Sequence, residues 1–160
     1  MLDKRIELFV RGLAGDTRHS GRSFFSHLKG TYDLLERDGA APHVCIAGLC
    51  HSIYGTNIFN HASVPLQERQ HVANVIGLGA EFLAYTFCSC NRPSALIEAA
   101  ERGRPYWVLN RHNGQMISLE PVMLCDLLQI EQANMQEQGS VRILPHIAGA
   151  ILKVSDDGHS

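Results

Sequence analysis

His27-Leu28-Lys29-Gly30-Thr31-Tyr32 and, after a polar break, Val44-Cys45-Ile46-Ala47-Gly48-Leu49-Cys50-His51-Ser52 are the two runs on which the fold turns. The first lies inside a helix expected from about Arg22 to Arg37. Phe24, Leu28, Tyr32 and Leu35 recur there at helical spacing, and Gly39 supplies a stop. The second begins after Pro42, which suits a first helical turn, and is apolar almost all the way round. A helix of that kind is buried on most sides. His51 and Ser52 stand at its C-terminal end, before Tyr54-Gly55-Thr56. An imidazole at such a place needs a partner, because an unpaired buried polar group costs about 1–3 kcal/mol.

Outward from this pair, Asp3 caps a first helix through about Gly12, with Ile6, Phe9, Val10 and Leu13 as its apolar face. The stretches 15–23 and 57–65 are polar and read as loops. Further helices are expected at Leu66–Ile76, Ala80–Phe87 and Ser94–Arg102. Pro105–Asn110 and Gln115–Leu119 flank Asn113-Gly114, a strong hairpin signal. Ser118 is expected to cap a long helix that has Pro121 in its first turn and runs to Gln138. A short apolar element, Ile143–Val154, precedes a polar tail. These elements make one all-α domain over residues 1–160, a helical bundle with a small β-hairpin near residues 105–119.

The bulk properties narrow the function. A chain of 160 residues that is 45% hydrophobic can bury roughly 70% of its unfolded surface, so it folds without needing a metal or disulfide. Its net charge of −2 is mixed along the chain, with no basic stripe of the kind that binds nucleic acid. No apolar run approaches the roughly 20 residues that span a bilayer, and the N-terminus lacks the apolar stretch of a signal peptide. A cytoplasmic location is the resulting expectation. The five cysteines fit reduced thiols, and Cys88-Ser-Cys90 is too tight for a two-residue zinc knuckle. No phosphate-binding glycine loop, dinucleotide fingerprint or Ser-His-Asp order is present.

The two quoted runs resemble the opening of the HD-domain superfamily. There one helix supplies a metal-binding histidine and the next, reading roughly A-G-L-x-H-D, supplies a His-Asp pair. The segment from Ser23 to Thr56 is similar to the corresponding part of myo-inositol oxygenase, a di-iron branch. It is closer still to an HD-like family marked by H-L-x-G-T-Y and A-G-L-x-H-S-x-Y-G-T. Ile130-Glu131-Gln132-Ala133-Asn134 resembles the place where that superfamily carries an Ala-Asp pair as a last ligand. Two positions depart from the pattern: Ser52 stands for the aspartate that bridges two metals, and Asn134 for the final one. Neutral oxygens make weak ligands for a hard cation, so a two-metal phosphohydrolase is disfavoured.

What remains is one divalent metal, iron first, held by His27 and His51 with a third ligand from His19, His61, Glu131 or Glu137. Two histidines and a carboxylate form the facial set of non-haem iron oxygenases. A metal-free alternative makes one histidine a general base, since an ordinary imidazole titrates at about 6.5. Around this centre, Tyr54 and Thr56 are expected at a pocket mouth, and Arg69 as a binder of carboxylate or phosphate. If His19 shared a helix with His27 it would lie about 80° round from it. Glu131, Asn134 and Gln138 share one face of the late helix, with Asp126 and Glu137 as further acids. Trp107 is expected to pack the hairpin on the helices.

The resulting expectation is a small-molecule enzyme with an HD-like pocket, in the oxygenase direction by resemblance. Its catalytic residues are His51, Tyr54, Arg69, Glu131 and Asn134, and its metal ligands are drawn from His27, His51, His19 and Glu131. A catalytically inactive binding or scaffold module is the competing class. The partner expected is a small molecule, with no nucleic acid and no membrane, and a homodimer left open.

Overall fold

The computed structural model describes residues 1–157. The chain runs through α1 (Lys4–Ala14), a two-residue ribbon β1 (Arg18–His19) and β2 (Arg22–Ser23), α2 (Phe24–Arg37) and α3 (Pro42–Leu49). After a long loop come α4 (Arg69–Ile76), α5 (Leu78–Ser89) and α6 (Ser94–Arg102). The hairpin β3 (Tyr106–Leu109) and β4 (Met116–Leu119) leads into α7 (Pro121–Glu137) and α8 (Leu144–Asp157). The fold is mostly α, with a small antiparallel hairpin where one is expected. Tyr106 pairs with Leu119 and Leu109 with Met116.

Helix α1 starts where Asp3 accepts a hydrogen bond from the Arg5 amide, and α2 where Ser23 accepts one from the Ser26 amide. Each satisfies an amide that the first turn leaves unpaired. Pro42 and Pro121 occupy the first turns of α3 and α7, where a missing N–H costs nothing. Val10, Phe24, Leu28, Leu49, Phe87, Leu124, Leu127 and Ile147 are all fully buried in one connected core. α7 runs between α2, α3 and α8, so the two histidine-bearing segments and the late helix share a wall.

Several local expectations need correction. The polar stretch before α2 is not all loop, because Arg18 pairs with Ser23 and His19 with Arg22. His19 is therefore on a ribbon and not on the helix of His27. Ser118 lies in β4 and caps nothing; Glu120 is the residue that enters α7, without a side-chain cap bond. The last apolar element is a full helix, since Ile147, Ala150 and Val154 place a buried stripe at helical spacing against α6 and α7. α3 closes at Leu49, so His51 follows the helix within a turn. The first part of the expected polar tail, through Asp157, is helical; residues 158–160 lie outside the described residues.

Close approach of α2 and α3 depends on Gly48. A Cβ there would stand 2.3 Å from Leu35 Cδ1, inside any allowed contact. With no side chain at 48, α3 settles on α2 and carries His51 toward His27.

Candidate functional site

The imidazoles of His27 and His51 meet in the interior, each 1% exposed. Their Nε2 atoms are 3.1 Å apart and their rings are close to perpendicular, at 76°. Each ring is fixed by its other nitrogen. His51 Nδ1 lies 2.6 Å from the Gly48 carbonyl oxygen, which can only accept, so Nδ1 carries the proton. His27 Nδ1 lies 2.5 Å from Glu137 Oε2, and the other carboxylate oxygen of Glu137 accepts from Arg22. Glu137 reaches back over Gly30, where a Cβ would come within 2.9 Å of its Cγ. The backbone of His51 is held too: its carbonyl accepts from the Cys88 thiol at 3.1 Å.

This pattern fixes the protons. With Nδ1 of each ring donating, to Gly48 and to the Glu137 carboxylate, both Nε2 atoms present lone pairs. Two lone pairs facing at 3.1 Å repel unless a proton or a cation lies between them. Burial lowers the proton affinity of His27, outweighing the opposing pull of Glu137. It holds His51 well below the ordinary imidazole range, reinforced by charge on His27. The neutral rings this favours are the form that binds metal. Two nitrogens each about 2.0–2.1 Å from one ion and at right angles would be roughly 2.9 Å apart, close to what is seen.

A cleft of about 220 Å³ opens beside the pair. His27, Ser52, Thr56, Phe87, Arg92 and Asn134 line it, with Phe59, Gln138 and Ser140 toward its mouth. The positions that the HD resemblance singles out, His27, Ser52 and Asn134, thus come together around one cavity. His51 is directly against His27. Asn134 is 2% exposed and points inward, its oxygen accepting from Gln138 Nε2 at 2.7 Å.

The other expected residues separate into distinct roles. His19 lines the cleft and stacks on His27 with ring centroids 4.3 Å apart, its Nδ1 buried without a hydrogen-bond partner. Burial, with His27 as its next cause, lowers its proton affinity. Glu131 is fully buried in a two-pronged pair with Arg92, one bond being 2.6 Å. Glu137 is turned to Nδ1 of His27, away from the Nε2 pair. The facial set of two histidines and a carboxylate is therefore not assembled. Among the described residues no group of three or more His, Cys, Asp or Glu side chains is placed to hold a metal. The oxygens that share the cleft with His27 are neutral ones, those of Ser52 and Asn134 among them.

Tyr54 and Arg69 stand elsewhere. Tyr54 donates to Glu81 at 2.8 Å, Arg69 grips the same carboxylate at 2.7 and 2.8 Å, and its guanidinium lies 3.4 Å over the Tyr85 ring. That network braces α4 on α5 and does not line the cleft. His61 contacts Thr17 at 3.4 Å, and Asp126 pairs with His43 on another face. Trp107 stacks under Arg102, 3.7 Å from the ring centre. Cys88 and Cys90 are buried thiols, each pushed up to about 12 by burial, which suits small apolar packing and not metal ligation.

Arg92, on the cleft lining, and Arg111, behind its wall, are positions that sequence reading missed. Arg111, in the hairpin turn, donates to the carbonyls of Cys88 and Gly55 at 3.0 and 3.1 Å. It ties the hairpin to the loop that forms one wall of the cleft. Neither arginine carries a periodic or motif signal. The nearest clue was the Arg-His-Asn-Gly turn.

Residues 8–92, more than half of the chain, match a family described as a domain of unknown function (DUF6817). The matched span contains His27, His51, Ser52 and Arg92, but not Asn134 or Glu137. No curated protein and no solved structure matches.

Proposed function

The chain belongs to the DUF6817 family, and for this member we propose a small-molecule enzyme of HD-like type centred on a divalent cation held by His27 and His51. The observation that carries the reading is the pair of Nε2 atoms 3.1 Å apart, each on a ring whose Nδ1 is already committed to an acceptor. Ligating histidines are ordinarily held this way, by a carboxylate or a backbone carbonyl on the far nitrogen. Ser52 and Asn134 stand where neutral oxygens could add weak ligation, which leaves most of the coordination sphere to water and substrate. Iron is the metal to test first, because imidazole suits it and because the resemblance lies on the oxygenase side.

A bound divalent ion would supply Lewis acidity to a substrate oxygen or, as iron, access to oxygen chemistry. The protein's own residues do the rest. Glu137 accepts from His27 Nδ1 and keeps that ring in one tautomer, and Gly48 does the same for His51. Asn134 and Gln138 offer amide groups to a polar substrate, and Ser52 and Thr56 offer hydroxyls. Phe59 and Phe87 wall off water. Arg92 is neutralised by Glu131, so it shapes the cleft without claiming an anion. A cytoplasmic setting is part of the same proposal, supported by five free cysteines. Among the described residues no helix is long and apolar enough to cross a membrane.

A second reading rests on the same distances. One more proton would link Glu137, His27, His51 and the Gly48 carbonyl in a continuous hydrogen-bonded chain, a relay suited to general acid–base catalysis. Elemental analysis of untagged protein separates the two. Near-stoichiometric iron, manganese or zinc that disappears in both His27→Ala and His51→Ala supports the metal centre. Metal-free protein that does not take up any of the three ions by calorimetry overturns it and leaves the relay.

A further inference from the structure

The cleft does not end at the histidines. It adjoins a wider groove of about 540 Å³ lined by Pro93, Met135, Val141 and Ile143, with Arg142 at the surface. Met135 and Ser140 line both spaces, and consecutive residues Arg92 and Pro93 line one each. The two spaces differ sharply in chemistry. The cleft offers hydroxyl and amide groups from Ser52, Thr56, Asn134 and Gln138, and its one guanidinium is taken by Glu131. The groove is walled mostly by the carbon of Pro93, Met135, Val141 and Ile143, with Ser140 and Arg142 as its polar members. Val141 there is 65% exposed, and Ile58 at the cleft is 66% exposed. Exposed carbon therefore stands beside a polar pocket, an arrangement suited to a ligand with one polar and one apolar end.

We propose that the substrate is a single-chain amphiphile, with an uncharged oxygen- or nitrogen-bearing head in the cleft and an alkyl chain along the Pro93–Met135–Val141–Ile143 groove. The proposal rests on the small-molecule reading of the cleft and adds the class of molecule to it. An uncharged head follows from the cleft lining, where the one guanidinium, Arg92, is paired with Glu131 and no other arginine or lysine is offered to an anionic head; Arg142 lies along the groove instead. The chain follows from the shared wall at Met135, a side chain that bends to fit flexible carbon.

The test is calorimetric binding of 1,2-alkanediols from six to twelve carbons, below their aggregation concentrations, to the full chain as purified. Affinity should rise about 2- to 4-fold per added methylene, as burial of carbon in a partly open groove predicts. Val141→Asp, at an exposed position that folding tolerates, should abolish that increment. Asn134→Ala should weaken every diol by a similar factor and leave the increment intact. Absence of binding, affinity independent of chain length, or an increment unchanged in Val141→Asp would each overturn the proposal. Metal content, measured on the same samples, stands apart: its loss speaks against the cation centre and not against the chain-length dependence.

Discussion

Gly30 and Glu137 are in mutual contact across α2 and α7, and a Cβ on residue 30 would meet Glu137 Cγ at 2.9 Å. The carboxylate that fixes His27 reaches it only because residue 30 has no side chain. Gly30→Ala should therefore move Glu137 off His27 Nδ1. Helix propensity would return roughly 0.5–1 kcal/mol against a crowding cost of about 1–3 kcal/mol, so a net loss of at most about 2.5 kcal/mol is expected. Affinity for a divalent ion should fall by about 10-fold or more, as loss of an outer-shell partner predicts. Calorimetric titration with iron(II) or zinc beside a denaturation curve checks both halves.

Glu137→Gln and Glu131→Gln should fail in opposite ways. The first leaves Arg22 unpaired, but that side chain is 48% exposed and hydrates. Its stability loss should be small, while metal affinity drops by about 10- to 100-fold. The second strands the Arg92 guanidinium, which is 4% exposed, and should cost about 3–5 kcal/mol. Urea unfolding of both variants decides the assignment. Equal destabilisation would show that Glu137 is merely structural.

Acid should destabilise the metal-free protein through His51. Its folded proton affinity is depressed by burial first and by His27 next, so the unfolded chain takes up a proton before the folded one. Stability is then full above about pH 6.5, the unfolded value, and declines as pH falls from there toward the folded value. Denaturation midpoints in chelator between pH 8 and 5 should show this slope in the wild type. His51→Gln should show less of it.

Much of this was legible in the chain. The 3.6-residue spacing of Phe24, Leu28, Tyr32 and Leu35 and the apolar run after Pro42 placed both histidine segments correctly, because burial of a stripe leaves a periodic mark. Asn113-Gly114 marked the hairpin by turn chemistry. The spacing of Glu131, Asn134 and Gln138 put them on one face, and Glu131 and Asn134 do point inward. What escaped reading are pairings between distant residues. Nothing local says that Glu81 would take Tyr54 and Arg69 away from the cleft, or that Glu131 would be claimed by Arg92. The role of Glu137 depends on a glycine 107 positions earlier. His19 was placed near His27 for the wrong reason, since a ribbon and not a helix brings it there.

Gly48→Ala should separate the two imidazoles. The added methyl would overlap Leu35 Cδ1, and Leu35 is 3% exposed with no room to turn away. A loss of about 1–3 kcal/mol is expected. Pairing the change with Leu35→Ala should recover part of the metal affinity by making space, although the double variant stays less stable. Metal titration of the single and double variants reads the recovery directly.

The matched ion pairs around the cleft also govern how fast anything arrives there. Arg92 is cancelled by Glu131 and Arg22 by Glu137, so these pairs add little net charge to steer a ligand toward the cleft. Long-range attraction is what makes association rates collapse with added salt, and the paired charges predict a weak salt dependence here. Entry of cations and of neutral molecules alike is left to unguided diffusion, at a pace that ionic strength barely alters.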